Sequence, residues 1–378
     1  MKKFLTLLLA AAVALPLNAQ RIKTGSIEGV QPQGSYMPTY KSDGAKKKPL
    51  NIILMIGDGT GLAQIASGYF ANNEELTYAN LKHIGLVTTK SASNFTTDSA
   101  ASGTAFASGQ KTYNYAVGVD LDHNPIPNIP EIIAPHGIIS GVVTTDDLDG
   151  ATPASFFAHQ NDRGMTNEIW AEVPGCPLSL FAAGSKEVFE ARPDSTRKAI
   201  EEQFTIVNSL DDPRCAEASR LGVLPTAVET GFKLDGRGDF LPENTAYAAR
   251  FLKKHSKKGK GFFLMVEGAR IDKACHLNKF DSNVLEVLDF DKAIAEAIRF
   301  ADEDGRTLVI ISADHETGGL DIWDGDPSKG KVEGVYIRSG HTAIPVPLFA
   351  YGPHAQDFIG VQGNEEVARK ILKLLGCK

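Results

Sequence analysis

Leu50-Asn51-Ile52-Ile53-Leu54-Met55-Ile56 runs straight into Gly57-Asp58-Gly59-Thr60-Gly61. A nearly unbroken apolar run of this length is how a parallel strand buried on both faces is written. The glycines beyond it permit a tight turn, so Asp58 should project from the strand's carboxyl end, the edge where ligands of open α/β sheets gather. Three more segments follow the same scheme. Ile138 to Thr145 leads to Gly150-Ala151-Thr152-Pro153, Gly261 to Val266 ends in Glu267-Gly268, and Thr307 to Ser312 ends in Asp314-His315. Leu86 to Thr89 and Ile344 to Ala350 read as further strands.

Between the strands lie helical patterns. Asn244 to His255 is amphipathic, Asn283 to Asp302 carries apolar residues at helical spacing, and Glu365 to Leu375 closes the chain. A helix from about Ala154 should carry Arg163. This alternation, without repeats, predicts one α/β domain over 48–378, with a mostly parallel central β-sheet flanked by helices on both faces. The patterning over about 164–240 is mixed and reads as surface insertions and helices. Residues 20–47 are polar and dotted with Gly, Pro and Ser, a tail or linker draped on the core.

Residues 1–19 combine Met1-Lys2-Lys3, an apolar run from Phe4 to Leu17 and the small-residue site Leu17-Asn18-Ala19. That is a secretory signal peptide, too short for a membrane span. It predicts a secreted protein, periplasmic or extracellular. A net charge of -7 over 378 residues argues against nucleic acid or an anionic membrane as partner. The four cysteines, Cys176, Cys215, Cys275 and Cys377, allow disulfides in an oxidising compartment, with Cys176–Cys215 the preferred pairing.

The chemistry centres on Thr97-Asp98-Ser99-Ala100-Ala101-Ser102-Gly103-Thr104-Ala105. Residues 96–98 are good N-cap types, so Ser99 should sit in a first helical turn, its hydroxyl facing free N–H groups and the positive end of the helix dipole. Taken alone, the segment reads first as an ordinary capped, Ala-rich helix. The distant acids and histidines change its meaning. Asp272 and His276 are four apart and share one helical face, as a pair of metal ligands requires. Cys275 shares roughly that face and is a rival ligand. Asp314-His315 forms a second acid–imidazole pair, and His341 lies in a Gly-flexed loop, Ser339-Gly340-His341-Thr342. Mixed carboxylate and imidazole donors suit zinc in two three-ligand sites; Asp58, Glu267 and the Thr152 hydroxyl leave an all-oxygen set suited to magnesium.

The assembled motifs resemble the alkaline phosphatase family. Gly57-Asp58-Gly59, Thr97-Asp98-Ser99-Ala100-Ala101-Ser102, Ala151-Thr152-Pro153, Val266-Glu267-Gly268-Ala269-Arg270-Ile271-Asp272-Lys273-x-x-His276, Ala313-Asp314-His315 and Gly340-His341-Thr342 occur in the family's order across residues 50–350. The resemblance implies a phosphomonoesterase with two Zn²⁺ and one Mg²⁺, working through a phosphoserine on Ser99. One zinc would take Asp272, His276 and His341. The other would take Asp58, Asp314 and His315, and magnesium would take Asp58, Thr152 and Glu267. Arg163 matches the phosphate-clamping arginine, Asp98 helps hold it, and Lys273 matches a lysine that approaches the phosphate. Three divalent cations outweigh the four carboxylates, so an acidic protein keeps a positive pocket for a phosphate dianion. The expected partners are small phosphate monoesters, and relatives are commonly homodimers. A phosphodiesterase or sulfatase on the same scaffold is the alternative, but the magnesium set is present and the sulfatase Cys/Ser-x-Pro-x-Arg segment is absent around Ser99. At one position the chain departs from the pattern. Two residues before Thr152, where members often carry Asp or His, it has Gly150, and neither Asp147 nor Asp149 is in register to replace it. This predicts a labile Mg²⁺.

Overall fold

In the computed structural model, which describes residues 22–377, the Asn51–Gly57 strand is buried along its whole length. It lies inside a ten-stranded sheet. From one edge the order is Gly360–Gly363, His83–Thr88, Val346–Tyr351, Thr307–Ser312, Asn51–Gly57, Phe262–Gly268, Ile139–Asp147, Leu178–Gly184, Leu221–Val223 and Thr205–Val207. Only Val346–Tyr351 runs antiparallel to its neighbours. The mostly parallel α/β sheet expected from the sequence is therefore present.

Each face of the sheet has its own core. Ile52, Leu54 and Ile56 point to one side, which is covered by the Ser99–Ser108 and Asn364–Leu375 helices. Ile53 and Met55 point to the other, under Phe240–His255 and Phe280–Asp304. These strand side chains are fully buried, each worth about 1.5–3 kcal/mol on transfer from water, and that holds the strand in register. Register then places the chemistry. Ile56 pairs with both Glu267 and Ser312, so Asp58 and Asp314 emerge side by side, two residues beyond one shared rung. Thr144 pairs with Glu267 on the next rung across.

The structure corrects several expectations. The 164–240 region is not only surface insertion. It supplies three sheet strands, and Leu178–Gly184 is buried over nearly all its length. Arg163 lies in a turn, because the helix after Gly150 ends at Ala154. The 22–47 segment lies against the core. Lys23–Ile27 pairs with Lys331–Tyr336, and Tyr36, Thr39 and Tyr40 bond to Asp302 and Tyr351. All four cysteines are free and buried. Cys176 belongs to the core on one sheet face and Cys215 to the core on the other, which rules out their pairing. The signal-peptide reading of 1–19 lies outside the described residues. Among those described, no helix is long and apolar enough to cross a membrane.

Candidate active site

Ser99 opens the Ser99–Ser108 helix, and Asp98 caps it by accepting from Ala101 N at 3.0 Å. Every residue of that helix is buried. Its small side chains are explained by packing: a Cβ on Gly103 would stand 2.9 Å from Ser155 Oγ and 3.3 Å from Thr152 Cα. The close approach brings Thr152 up to the Ser99–Ser108 helix. A similar constraint acts at Gly59, whose φ is +69° and whose missing Cβ would lie 2.9 Å from Asp272 Cα. Gly59 N also donates to Asp314 Oδ1 at 3.1 Å, locking the turn that carries Asp58.

Two groups of potential ligands converge beside Ser99. Asp58, Asp314 and His315 form one, fully buried; Asp272, His276 and His341 form the other, toward solvent. Ser99 Oγ lies 3.1 Å from His315 Nε2. The same nitrogen is 3.1 Å from Asp314 Oδ2 and 3.4 Å from Asp58 Oδ1. His341 is not in a free loop. Its short strand His341–Thr342 pairs with Glu316–Thr317, setting His341 opposite Thr317. His341 and His315 stack at 3.5 Å between ring centroids. Cys275, the rival ligand, turns away and donates to Asn283 Oδ1 at 3.3 Å. Burial pushes its thiol far up, so it stays protonated.

The electrostatics are those of a site built for cations. Burial raises Asp58 well above the ordinary carboxylate range, and the charges of Asp314, Asp272 and Glu267 add to it. Glu267 is pushed up to about 8 by burial and then by Asp146, against the hydrogen bond it accepts from Thr144. Asp314 goes the other way, down to about 2: burial resists, but the charge of His315 prevails. For His315, burial opposes protonation and Asp314 more than restores it. His341 is pulled down to about 4 by burial and by the charge of His315.

Among the described residues, Asp58 Oδ1, Asp314 Oδ2 and Thr152 Oγ1 are buried without hydrogen-bond partners. Orphaned buried polar atoms cost free energy, and such atoms on acids and a hydroxyl fit cation positions. The donor chemistry agrees, with carboxylate and imidazole in both clusters and oxygen alone from Asp58, Thr152 and Glu267. Arg163 Nη1 reaches Asp98 Oδ2 at 3.4 Å, and its backbone N donates to Tyr115 O at 2.8 Å. Lys273 forms an ion pair with Asp146.

Two buried residues escaped the sequence reading. Thr317 Oγ1 donates to Asp272 and stands 3.1 Å from His315 Nδ1, joining the two clusters through one hydroxyl. Glu316 accepts from Gln64 Nε2, Thr342 Oγ1, Gly319 N and Leu320 N, and so holds the loop beneath them. Both follow Asp314-His315 directly. A hydroxyl and an acid next to a predicted ligand pair were the available signal.

Comparison with known proteins agrees with this geometry. The alkaline phosphatase family profile matches residues 49–191 and 221–336. The chain is 28% identical to alkaline phosphatase 3 of Bacillus subtilis (strain 168), over 99% of this chain and 98% of that one. It is also 28% identical to the alkaline phosphatase of Escherichia coli (strain K12), over 89% and 88%. Among solved structures, the alkaline phosphatase from the Antarctic bacterium TAB5 superposes with a TM-score of 0.82 at 38% identity, covering 88% of this chain and 99% of that one. A TAB5 mutant, solved with Mg bound in its M3 site, matches equally well. The profile match, the shared fold and the two candidate ligand clusters beside a serine in the first turn of a helix lead to one conclusion: the chain is an enzyme of the alkaline phosphatase family.

Proposed function

We propose that this enzyme hydrolyses phosphate monoesters to an alcohol and inorganic phosphate through a phosphoserine on Ser99, with two Zn²⁺ and one Mg²⁺. The observation that carries the reading is the placement of Ser99 Oγ, at a helix N-terminus and 3.1 Å from His315 Nε2, with Arg163 held on Asp98. Divalent cations held by Asp58, Asp314 and His315, by Asp272, His276 and His341, and by Asp58, Thr152 and Glu267 supply Lewis acidity that lowers the pKa of the serine hydroxyl and of water. Arg163 grips two non-bridging oxygens with its planar fork and orients phosphorus for in-line attack. Ser99 attacks, the alcohol departs, and the phosphoryl group rests on Ser99 against the first-turn N–H groups. Water then cleaves the phosphoserine, returning the hydroxyl and releasing phosphate.

Export through residues 1–19 and assembly as a homodimer belong to the same proposal. Support comes from the leader-like sequence and from the family. The test compares turnover of an aryl phosphate monoester, its diester and its sulfate. Monoester turnover should dominate, and Ser99→Ala should abolish it. Dominant diester or sulfate turnover, or unchanged hydrolysis by Ser99→Ala, overturns the proposal.

A further inference from the structure

Gly150 stands two residues before Thr152, and its missing side chain leaves a space that the structure fills from elsewhere. A Cβ at 150 would lie 2.6 Å from Asp146 Oδ2 and 3.0 Å from Asp146 Cγ. The Asp146 carboxylate thus occupies the volume that a side chain at 150 would take. Of Asp147, one of the substitutes considered from sequence, the nearest atom is the backbone carbonyl oxygen, at 3.0 Å.

Asp146 is fixed there from two sides. Its backbone N donates to Thr144 Oγ1 at 2.8 Å, and the same hydroxyl donates to Glu267. Its Oδ1 pairs with Lys273, the neighbour of Asp272 on the Arg270–His276 helix. Lys273 neutralises one side of Asp146, while Oδ2 is turned toward position 150 and the start of the Thr152 segment.

We infer that Asp146, reaching through the space left by Gly150, is the outer carboxylate of the cation site formed by Asp58, Thr152 and Glu267. One oxygen anchors Lys273 and the other accepts hydrogen bonds from the hydration shell of the cation. Mg²⁺ keeps several waters when protein-bound, so a carboxylate one layer out is a natural partner for it. Outer partners of this kind are typically worth about 10–100-fold in metal affinity. Mg²⁺ should therefore be retained on mild dialysis, contrary to what Gly150 alone suggests. The inference rests on the third-cation part of the proposed function, and it adds a positioning residue.

The test measures Mg²⁺ binding to the zinc-loaded full chain, by calorimetric titration and by elemental analysis after dialysis, with no substrate present. Asp146→Ala and the shape-conserving Asp146→Asn should each weaken Mg²⁺ about 10–100-fold, with zinc content unchanged. Adding Gly150→Asp to Asp146→Ala moves the carboxylate into the same space from the other side and should restore affinity. The inference is overturned if wild type takes up no Mg²⁺, if both Asp146 variants bind it as wild type does, or if Gly150→Asp fails to rescue. A wild-type chain that shows the expected Mg²⁺ pattern yet hydrolyses no monoester refutes the functional reading and leaves this one standing.

Discussion

His276 Nε2 and His341 Nε2 stand 3.0 Å apart, and in the neutral rings neither carries a proton. His276 Nδ1 lies 2.6 Å from Ser339 O and His341 Nδ1 lies 2.9 Å from Thr97 O. A carbonyl only accepts, so each Nδ1 must donate and each Nε2 is left with its lone pair. Two lone pairs at that distance, with Asp272 Oδ2 3.3 Å from one of them, repel until a cation lies among them. His341→Ala is accordingly expected to lower zinc affinity at this site by more than about 100-fold, beyond the effect of an outer partner. Zinc counted by elemental analysis after dialysis reads the loss. A full zinc complement in the variant would show that His341 is no ligand.

Thr317 couples the two clusters, and Thr317→Val removes its hydroxyl while keeping the shape. The change deprives Asp272 of a donor and His315 Nδ1 of an acceptor, both buried. Stability should fall by about 1–3 kcal/mol, the usual cost of stranding a buried polar partner. Metal affinity should drop about 10–100-fold at both clusters together. Urea unfolding and a zinc titration measure the two effects; loss at one cluster alone would contradict the coupling.

The metal-free protein should lose stability as pH rises from about 6.5 to about 8. Glu267, near 8 when folded, and His315, raised above its ordinary value, hold protons in the native state that the unfolded chain has already released. Their contribution is complete at low pH and disappears as pH climbs through the folded values. Below about 6.5 the trend is blurred, because His341, lowered to about 4, acts with the opposite sign. Chemical denaturation in chelator at pH 6.5 and 8.5 should show the decline. Restoring zinc and magnesium should shrink it, since cations then replace the protons at Glu267 and His315.

Arg163 is braced by Asp98 at 3.4 Å and by Tyr115 through its backbone. Hydrogen bonds to charged groups contribute about 1.5–3 kcal/mol each. Arg163→Ala should therefore raise KM and weaken inhibition by inorganic phosphate by about 10–100-fold or more. Arg163→Lys should recover little, lacking the planar fork. Asp98→Ala should weaken phosphate binding less, and should also cost about 0.5–2 kcal/mol of stability through the lost helix cap. Steady-state kinetics with phosphate as competitor checks the order.

Much of this site is legible in one dimension. A strand buried on both faces is written as a continuous apolar run, so the positions just past it, Asp58, Glu267 and Asp314, could be read without knowing any partner strand. The 3.6-residue helical period did the same for Asp272 and His276. Ser99 announced itself through the cap residue before it and the small residues after it, although those small residues serve the packing of a fully buried helix.

Other features depend on pairings between segments distant in sequence, and no local pattern encodes them. His341 gains its place by lying opposite Thr317 across a two-stranded ribbon, and Thr317 acquires a role only because Asp272 arrives from another helix. Arg163 is aimed by the carbonyl of Tyr115, not by a helix. Leu178–Gly184 is a core strand by virtue of the neighbours it pairs with. Cys176 and Cys215 are kept apart because the sheet runs between them. Gly150, read along the chain, looks like a lost ligand; in space its missing side chain leaves the volume that the Asp146 carboxylate fills. Chain order specifies which groups are available, and close packing of the folded sheet and helices decides which of them meet.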